Sequence, residues 1–310
     1  MSLRLAVIGG RGWLGRAVVE AARRHGVRVT TLGRATGPAP SDMYTTVDTA
    51  DGSALASALD GVDVVVNAAG DVSGDLAASE LANVDLPERL GRLAAEGGWR
   101  LVQVGSAAEY GPGASGPALV AEHHPCAPVS IYGATKLAGT EALLRWRAKG
   151  ASIVVARVFN VVDGEMPPAN PVRDLVVQVR HAAEFGVAGV GPEIAVGDPT
   201  TERDLTPRAD AAQAVVALAT RPAWPAEPVV NVCSGVATSF GDLARALGRR
   251  LDLDVEVVDL GWPRGGRIIG DPQLLRSLIT PPDPRAIDGL ADVVLATPLL
   301  RPHSGAFDVR

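Results

Sequence analysis

The chain has 310 residues, enough for one large domain or two modest ones, with a core that needs no disulfide or metal staple. Its 29 Lys and Arg against 35 Asp and Glu leave a net charge of −6, which argues against a nucleic-acid binder. A composition of 47% hydrophobic and 21% charged residues excludes disorder, and two cysteines, Cys126 and Cys233, cannot build a disulfide framework. No run of about eighteen apolar residues offers a membrane span, and no signal-peptide pattern follows Met1. The expectation is a cytoplasmic globular protein with small-molecule partners, no nucleic acid and no membrane.

In chain order, 3–8, 27–32, 62–67, 101–104 and 152–157 read as short, nearly continuous apolar strands, the pattern of strands buried on both faces. Between them, 14–25, 55–59, 81–97 and 131–149 carry helical spacing. This alternation predicts a parallel sheet covered by helices on both sides. Past Gly164 the prolines at 167, 168 and 171 break regular structure. Helices are then expected at 175–184, 210–220, 240–251 and 289–295, with a strand at 229–232 and a proline-rich tail from 281. The boundaries that follow are a dinucleotide-binding Rossmann-type domain over 1–164, with elements returning near 205–235, and a smaller α/β substrate-binding domain from 165–204 and 236–310.

Gly9-Gly10-Arg11-Gly12-Trp13-Leu14-Gly15 lies between the first strand and the first helix. Glycines at 9, 12 and 15 permit a tight turn and let backbone N–H groups approach a pyrophosphate at the helix N-terminus. Trp13 and Leu14 complete the cradle, and the Trp13 indole is expected to pack against the sheet rather than on a ligand. Where a site for NAD would place a carboxylate, the chain has Leu32-Gly33-Arg34. A guanidinium there binds a 2′-phosphate that a carboxylate would repel, and Arg11 offers a second contact. NADP(H) is therefore favoured over NAD(H). Asp48, with Thr49 beside it, is placed to accept from the adenine amino group.

Tyr132 and Lys136 stand four apart at the start of a helical run, so both side chains share one face. The ammonium is expected to lower the phenol's pKa and make Tyr132 a usable general acid. Ser106 lies at the end of a strand, where its hydroxyl meets the same substrate oxygen. His123-His124 lacks further ligands at metal spacing, and no metal is expected.

Taken together, the glycine loop, Asn67-Ala68-Ala69-Gly70, Asn83-Val84, Gly105 to Gly111, Tyr132 to Lys136, Arg157-Val158-Phe159-Asn160, Arg203-Asp204-Leu205 and Asn231 to Gly235 resemble the extended short-chain dehydrogenase/reductase family, which includes the NAD-dependent epimerases and dehydratases. The resemblance spans nearly the whole chain. It implies that Ser106, Tyr132 and Lys136 form the catalytic triad and that Asn83 positions the lysine. Ala68, Ala69, Gly70 and Phe159 join the cofactor contacts, and Arg203 touches the phosphate of a sugar nucleotide. A homodimer through the helices over 81–97 and 132–149 is also implied. The stretch from Gly197 to Gly235 is most similar to GDP-4-keto-6-deoxymannose reductases, with departures at Leu205 and Pro207. Asn160 and Arg203 lead the substrate candidates, followed by Glu109 and Arg173.

Dehydration requires an acid and a base near the tyrosine, and Glu109, shifted along what reads as an extended segment, faces the wrong side. Arg34 favours net reduction over epimerisation. The reading is an NADPH-dependent ketoreductase acting on the 4-keto group of a nucleotide-activated deoxysugar. The alternatives are a ketoreductase or epimerase acting on another ketone, such as a natural-product intermediate, and a non-catalytic NADP-binding regulator.

Overall fold

A computed structural model describes residues 3–33, 44–112, 119–186, 191–263 and 265–296. The chain opens with β1 (Arg4–Ile8), α1 (Trp13–Arg24), β2 (Arg28–Gly33) and β3 (Tyr44–Thr46), then α2 (Gly52–Ala58), β4 (Val64–Asn67) and α3 (Leu76–Glu80). α3 passes through a π-helical turn, Leu81–Asp85, into α4 (Leu86–Gly97). Next come β5 (Arg100–Ser106), a 3₁₀ turn (Ala107–Tyr110), α5 (Ile131–Ala148), β6 (Ile153–Val158) and β7 (Val161–Val162). The rest comprises α6 (Arg173–Phe185), β8 (Glu193–Val196), β9 (Glu202–Asp204), β10 (Thr206–Pro207), α7 (Arg208–Thr220) and β11 (Val229–Val232). β12 (Ala237–Ser239), α8 (Phe240–Arg250), β13 (Glu256–Asp259), β14 (Arg267–Ile268), α9 (Gln273–Leu278) and α10 (Ile287–Leu295) follow.

Seven strands form one parallel sheet in the order β3-β2-β1-β4-β5-β6-β11. From β1 the chain steps outward through β2 to β3, then returns to the other side of β1. The gap between the carboxyl ends of β1 and β4 is therefore the switch point at which open α/β sheets bind ligands. Alternation along β1 explains both covering layers. Leu5 and Val7 pack with α1 and α7, while Ala6 and Ile8 pack with α2, α4 and α5. Each of the fully buried Leu5, Val7 and Ile8 side chains contributes about 1.5–3 kcal/mol. Val64, Val65 and Val66 are all buried, which is why the central strands read as unbroken apolar runs.

A third apolar cluster lies apart from the sheet. It joins Leu175, Val176 and Val179 of α6, Ile194 and Val196 of β8, Leu243 and Leu247 of α8, and Leu290 and Val294 of α10. The short elements here, β8, β9, β12 to β14 and α9, carry too few residues for a hydrophobic period and were not foreseen. β3 and α3 were missed for the same reason. The helix expected from 81 instead begins at Leu76, where the Asp75 carboxylate accepts from the Ala78 amide at 2.7 Å. Pro207, read as an interruption, stands at the N-cap of α7, where a missing N–H costs nothing.

Candidate active site

A cavity of about 540 Å³ opens at the switch point, within the size range of small-molecule sites. One wall is the loop after β1. Gly9 has a φ of +76°, and a Cβ on it would lie 2.6 Å from the Ala69 nitrogen, so only glycine brings this loop against the turn after β4. Gly15 closes the loop from below, since a Cβ there would strike the Gly9 carbonyl. α1 starts at Gly12 with no capping side chain and no acidic residue in its first turn. Its positive end is left to an anion. Of the expected cofactor contacts, Gly9, Arg11, Gly12, Thr49, Ala68, Ala69 and Gly70 line the cavity. A glycine cradle, a helix N-terminus and two arginines suit a dinucleotide pyrophosphate.

Arg89 was not foreseen. It lines the cavity from α4, and its Nη1 donates to the Thr49 carbonyl at 2.8 Å. Ala82, Leu86 and Arg89 share one helical face, and that spacing was the available signal. Asp48, expected at the adenine, is exposed and accepts from its own Ala50 amide at 2.9 Å; Thr49 and Ala50 make the wall instead. The Trp13 indole does not pack on the sheet. It donates to Asp163 at 2.9 Å, lies under the Arg208 guanidinium and meets the third apolar cluster. Leu14 packs against the core beneath α1. The Phe159 ring is wholly buried with Tyr110, Cys233 and Ile268, so it offers no surface to a cofactor. Arg34 lies outside the described residues.

Ser106, Tyr132 and Lys136 are brought together at the carboxyl end of β5. The Ser130 hydroxyl accepts from the Gly133 amide at 3.0 Å and starts α5 just before Tyr132. A Cβ on Gly133 would lie 2.5 Å from the Ala108 carbonyl, so α5 presses directly on the turn that follows Ser106. The Ser106 side chain lies near enough to the Tyr132 phenol to act on its pKa. The buried Lys136 ammonium donates to the Val104 carbonyl at 2.6 Å.

The electrostatics correct one expectation. Burial pushes the Tyr132 phenol above its ordinary value, against the lowering effect of Ser106, and the buried Glu109 charge adds to the rise. Burial also pushes Lys136 down, with Glu109 opposing. The expected lowering of the phenol by the ammonium does not enter: burial, Ser106 and Glu109 are the influences on Tyr132, and burial is the largest.

Asn83, in the π-helical turn, ties the cavity to this cluster. Its side chain holds both the Asp71 amide and the Asp71 carbonyl at 3.0 Å, and donates to Thr135 at 3.1 Å. It thus anchors α5 through the residue before Lys136 rather than touching the ammonium itself.

The substrate candidates divide. Glu109 is fully buried and ion-paired with Arg157, so it cannot contact a ligand. It sits in a 3₁₀ turn, not the extended segment assumed in discounting dehydration; its burial is what removes it from the pocket. Arg203 does not pair with Asp204, because neighbours on a strand face opposite sides. Its guanidinium donates to the carbonyls of Glu202, Gly265 and Gly266 at 2.8–3.1 Å. Asp204 accepts instead from Ser234, Gly235 and Gly270. Asn160 is half-buried and donates to the Asp204 carbonyl at 3.3 Å. Arg173, at the start of α6, is half-buried, and among the described residues no acceptor meets its Nε.

The sequence matches the NAD dependent epimerase/dehydratase family over residues 5–233. It is 34% identical over 273 residues to a dTDP-6-deoxy-L-talose 4-dehydrogenase (NAD(P)(+)) of Kitasatospora kifunensis, covering 84% of this chain and 83% of that protein. It is also 34% identical over 148 residues to a dTDP-4-dehydrorhamnose reductase of Streptomyces griseus, covering 46% of this chain and 45% of the relative. Among solved structures, RMD from Pseudomonas aeruginosa complexed with NADPH superposes with a TM-score of 0.78 at 21% identity, covering 96% of this chain and 97% of that one.

Proposed function

The chain belongs to the NAD-dependent epimerase/dehydratase family and is an NAD(P)-dependent oxidoreductase of the extended short-chain type; from that premise we propose that it uses NADPH to reduce the 4-keto group of a nucleotide-activated deoxysugar. The observation that carries the chemistry is that α5, bearing Tyr132 and Lys136, packs on the end of β5 that bears Ser106 and is tied through Thr135 and Asn83 to Gly70 in the cavity wall. The sugar is supported by the two relatives, whose names specify dTDP-linked deoxysugars. They favour a thymidine nucleotide over the guanosine nucleotide suggested by Gly197 to Gly235.

The loop from Gly9 to Gly15 and the turn from Ala68 to Gly70 would hold the pyrophosphate, with Thr49 and Arg89 at the adenosine end. Arg34, following Gly33 at the end of β2, would take the 2′-phosphate. The bound cofactor supplies a hydride for the ketone carbon. Tyr132 donates its phenolic proton to the carbonyl oxygen, and the Ser106 hydroxyl donates a hydrogen bond to the same atom. A phenol held above its ordinary pKa is fully protonated at neutral pH, which suits an acid in the reducing direction. Lys136, four residues on along the same face of α5, would supply positive charge for the phenolate left behind. Arg173, with Nε unmatched among the described residues, is the cation offered to the substrate diphosphate, and Asn160 to its sugar hydroxyls. A homodimer through α4 and α5 belongs to the same reading.

NADPH absorbance followed with dTDP- and GDP-linked 4-keto-6-deoxyhexoses and with simple ketones tests this. Turnover with a sugar nucleotide, and little with simple ketones, is expected. Absence of oxidation with every sugar nucleotide overturns the reading. Arg34→Asp should shift preference towards NADH; an unchanged preference removes the phosphate contact.

A further inference from the structure

We propose that Glu109 is a positioning residue for this reaction, its carboxylate joining the strand end that carries Ser106 to the helix that carries Tyr132 and Lys136. Its Oε1 accepts from the Ser106 backbone amide at 2.8 Å. Its Oε2 accepts from Thr140 at 2.9 Å and from Arg157 Nε at 2.7 Å. Thr140 lies one helical turn beyond Lys136, so this bond fixes the depth of α5 against β5. The Ser106 hydroxyl in turn accepts from the Ala108 amide at 3.2 Å, which orients the oxygen facing Tyr132. A Cβ at Gly105 would come within 2.9 Å of Oε1, so the strand end is shaped around this carboxylate.

The joint is braced from behind. Arg157, on β6, lies over the Tyr110 ring at 4.6 Å, and the Tyr110 hydroxyl donates to Asn231 on β11 at 2.7 Å. One polar network therefore runs from α5 across the sheet to β11. A buried ion pair is weak evidence for stability, since apolar groups of equal volume fill such a site as well. What distinguishes this one is its location beneath the reacting hydroxyls.

Charge adds to geometry. Tyr132 and Lys136 share one face of α5, near Ser106 and the Val104 carbonyl from β5, with the neutral Asn83 of the π-helical turn on Thr135 between them. The carboxylate acting on both is Glu109, from the 3₁₀ turn, with Arg157 of β6 behind it. It raises the pKa of the phenol and of the ammonium alike. Removing it lowers both, and the alkaline limb of the kcat profile moves to lower pH.

This inference rests on the proposed ketoreductase reading, and its test keeps the two apart. Glu109→Gln, Glu109→Asp and Thr140→Val are compared with the wild-type full chain, using NADPH and a dTDP-4-keto-6-deoxyhexose across pH. All three should lower kcat, Glu109→Gln by about 10- to 100-fold, the scale of a displacement on the order of 1 Å. KM and the NADPH Kd, read by fluorescence titration, should change less than about twofold if only geometry at the carbonyl is lost. Glu109→Gln should also move the alkaline limb to lower pH, with partial recovery of kcat in Glu109→Asp. If Glu109→Gln does not fold, Thr140→Val decides alone: wild-type kcat overturns the proposal, and reduced kcat at unchanged KM supports it. A fixed pH profile with kcat falling only as the folded fraction falls makes the joint purely structural and overturns it. An inactive wild type, or an active Tyr132→Phe, sinks the ketoreductase reading instead.

Discussion

Around the carboxyl ends of β1 and β4 the chain presents main-chain groups to a cavity, whereas between residues 198 and 270 its charged side chains bind the chain itself. The first region is built from Gly9, Gly12, Ala68, Ala69 and Gly70, and its one helix terminus carries no capping side chain. In the second, Asp204 gathers the amides of Ser234, Gly235 and Gly270, and Arg203 holds the carbonyls of Gly265 and Gly266. A ligand site made of backbone has no side chain to satisfy elsewhere, so its glycines serve the ligand directly. In a region of two- to four-residue strands, two charged side chains, each bonded to the main chain, do the work that longer ladders do in the sheet.

The sharpest separation comes from the proton donor. Tyr132→Phe removes one oxygen from the first region and leaves its walls intact. Turnover should fall on the order of 10²- to 10⁴-fold, with the NADPH Kd nearly unchanged. A loss of cofactor binding of similar size would mean that the phenol supports the cradle, and the division between wall and chemistry would fail.

A second pair of variants sets one left-handed glycine against another. Gly9→Ala forces a Cβ to 2.6 Å from the Ala69 nitrogen at a φ of +76°. The strain, about 1–3 kcal/mol, should appear largely as weaker NADPH binding, roughly 10- to 100-fold. Gly235, at a φ of +78°, backs onto Pro272 in the second region. Gly235→Ala should lower Tm by several degrees and leave the NADPH Kd within about twofold. Equal effects on binding would erase the contrast.

The same contrast decides what was legible. The seven-stranded sheet was visible except for β3, because strands buried on both faces leave continuous apolar runs such as Val64 to Val66. The cradle was visible because glycines between a strand and a helix have few other uses. Ser106, Tyr132 and Lys136, which spacing and order single out, lie on the adjoining β5 and α5. Glu109 and Asp48 misled, since a carboxylate near a site reads identically whether it meets a ligand or, as here, Arg157 or the Ala50 amide. Arg89 was hidden because its bond to Thr49 joins residues 40 apart in sequence. Apart from β11, the strands after residue 190 are too short for any period, and sequence does not pair the charged contacts that hold β9 to the loop before β14.

Arg203 measures how far the second region touches function. Two of its three carbonyl bonds, to Gly265 and Gly266, tie β9 to the loop before β14. Arg203→Ala should lower Tm by a few degrees and raise the sugar-nucleotide KM several-fold through loss of that loop's position, with kcat little changed. Arg203→Lys should recover little, because a single ammonium cannot reproduce a planar fork across carbonyls of three residues. Full recovery by lysine would instead mark a plain charge contact with the substrate diphosphate.

The smallest effect lies beside it, at Asp198. Hydrogen bonds from Thr200, Thr201 and the Gly265 amide hold its carboxyl down to about 2, against an ordinary 3.8. A carboxyl with a lowered folded value stabilises fully above its unfolded value, and the contribution disappears as pH falls through the folded one. The Tm gap between wild type and Asp198→Asn should therefore be constant above about pH 5 and close between pH 4 and 2. The groups around it, two threonine hydroxyls, the Thr200 and Gly265 amides and the always-charged Arg203, do not titrate in that window, so the closing gap belongs to Asp198. Because the residue anchors the same loop as Arg203 and lies away from the cavity, its loss should leave the NADPH Kd unchanged. A gap that persists to pH 2 would mean that the asparagine disturbs packing rather than charge, and the loop would then be held by Arg203 alone.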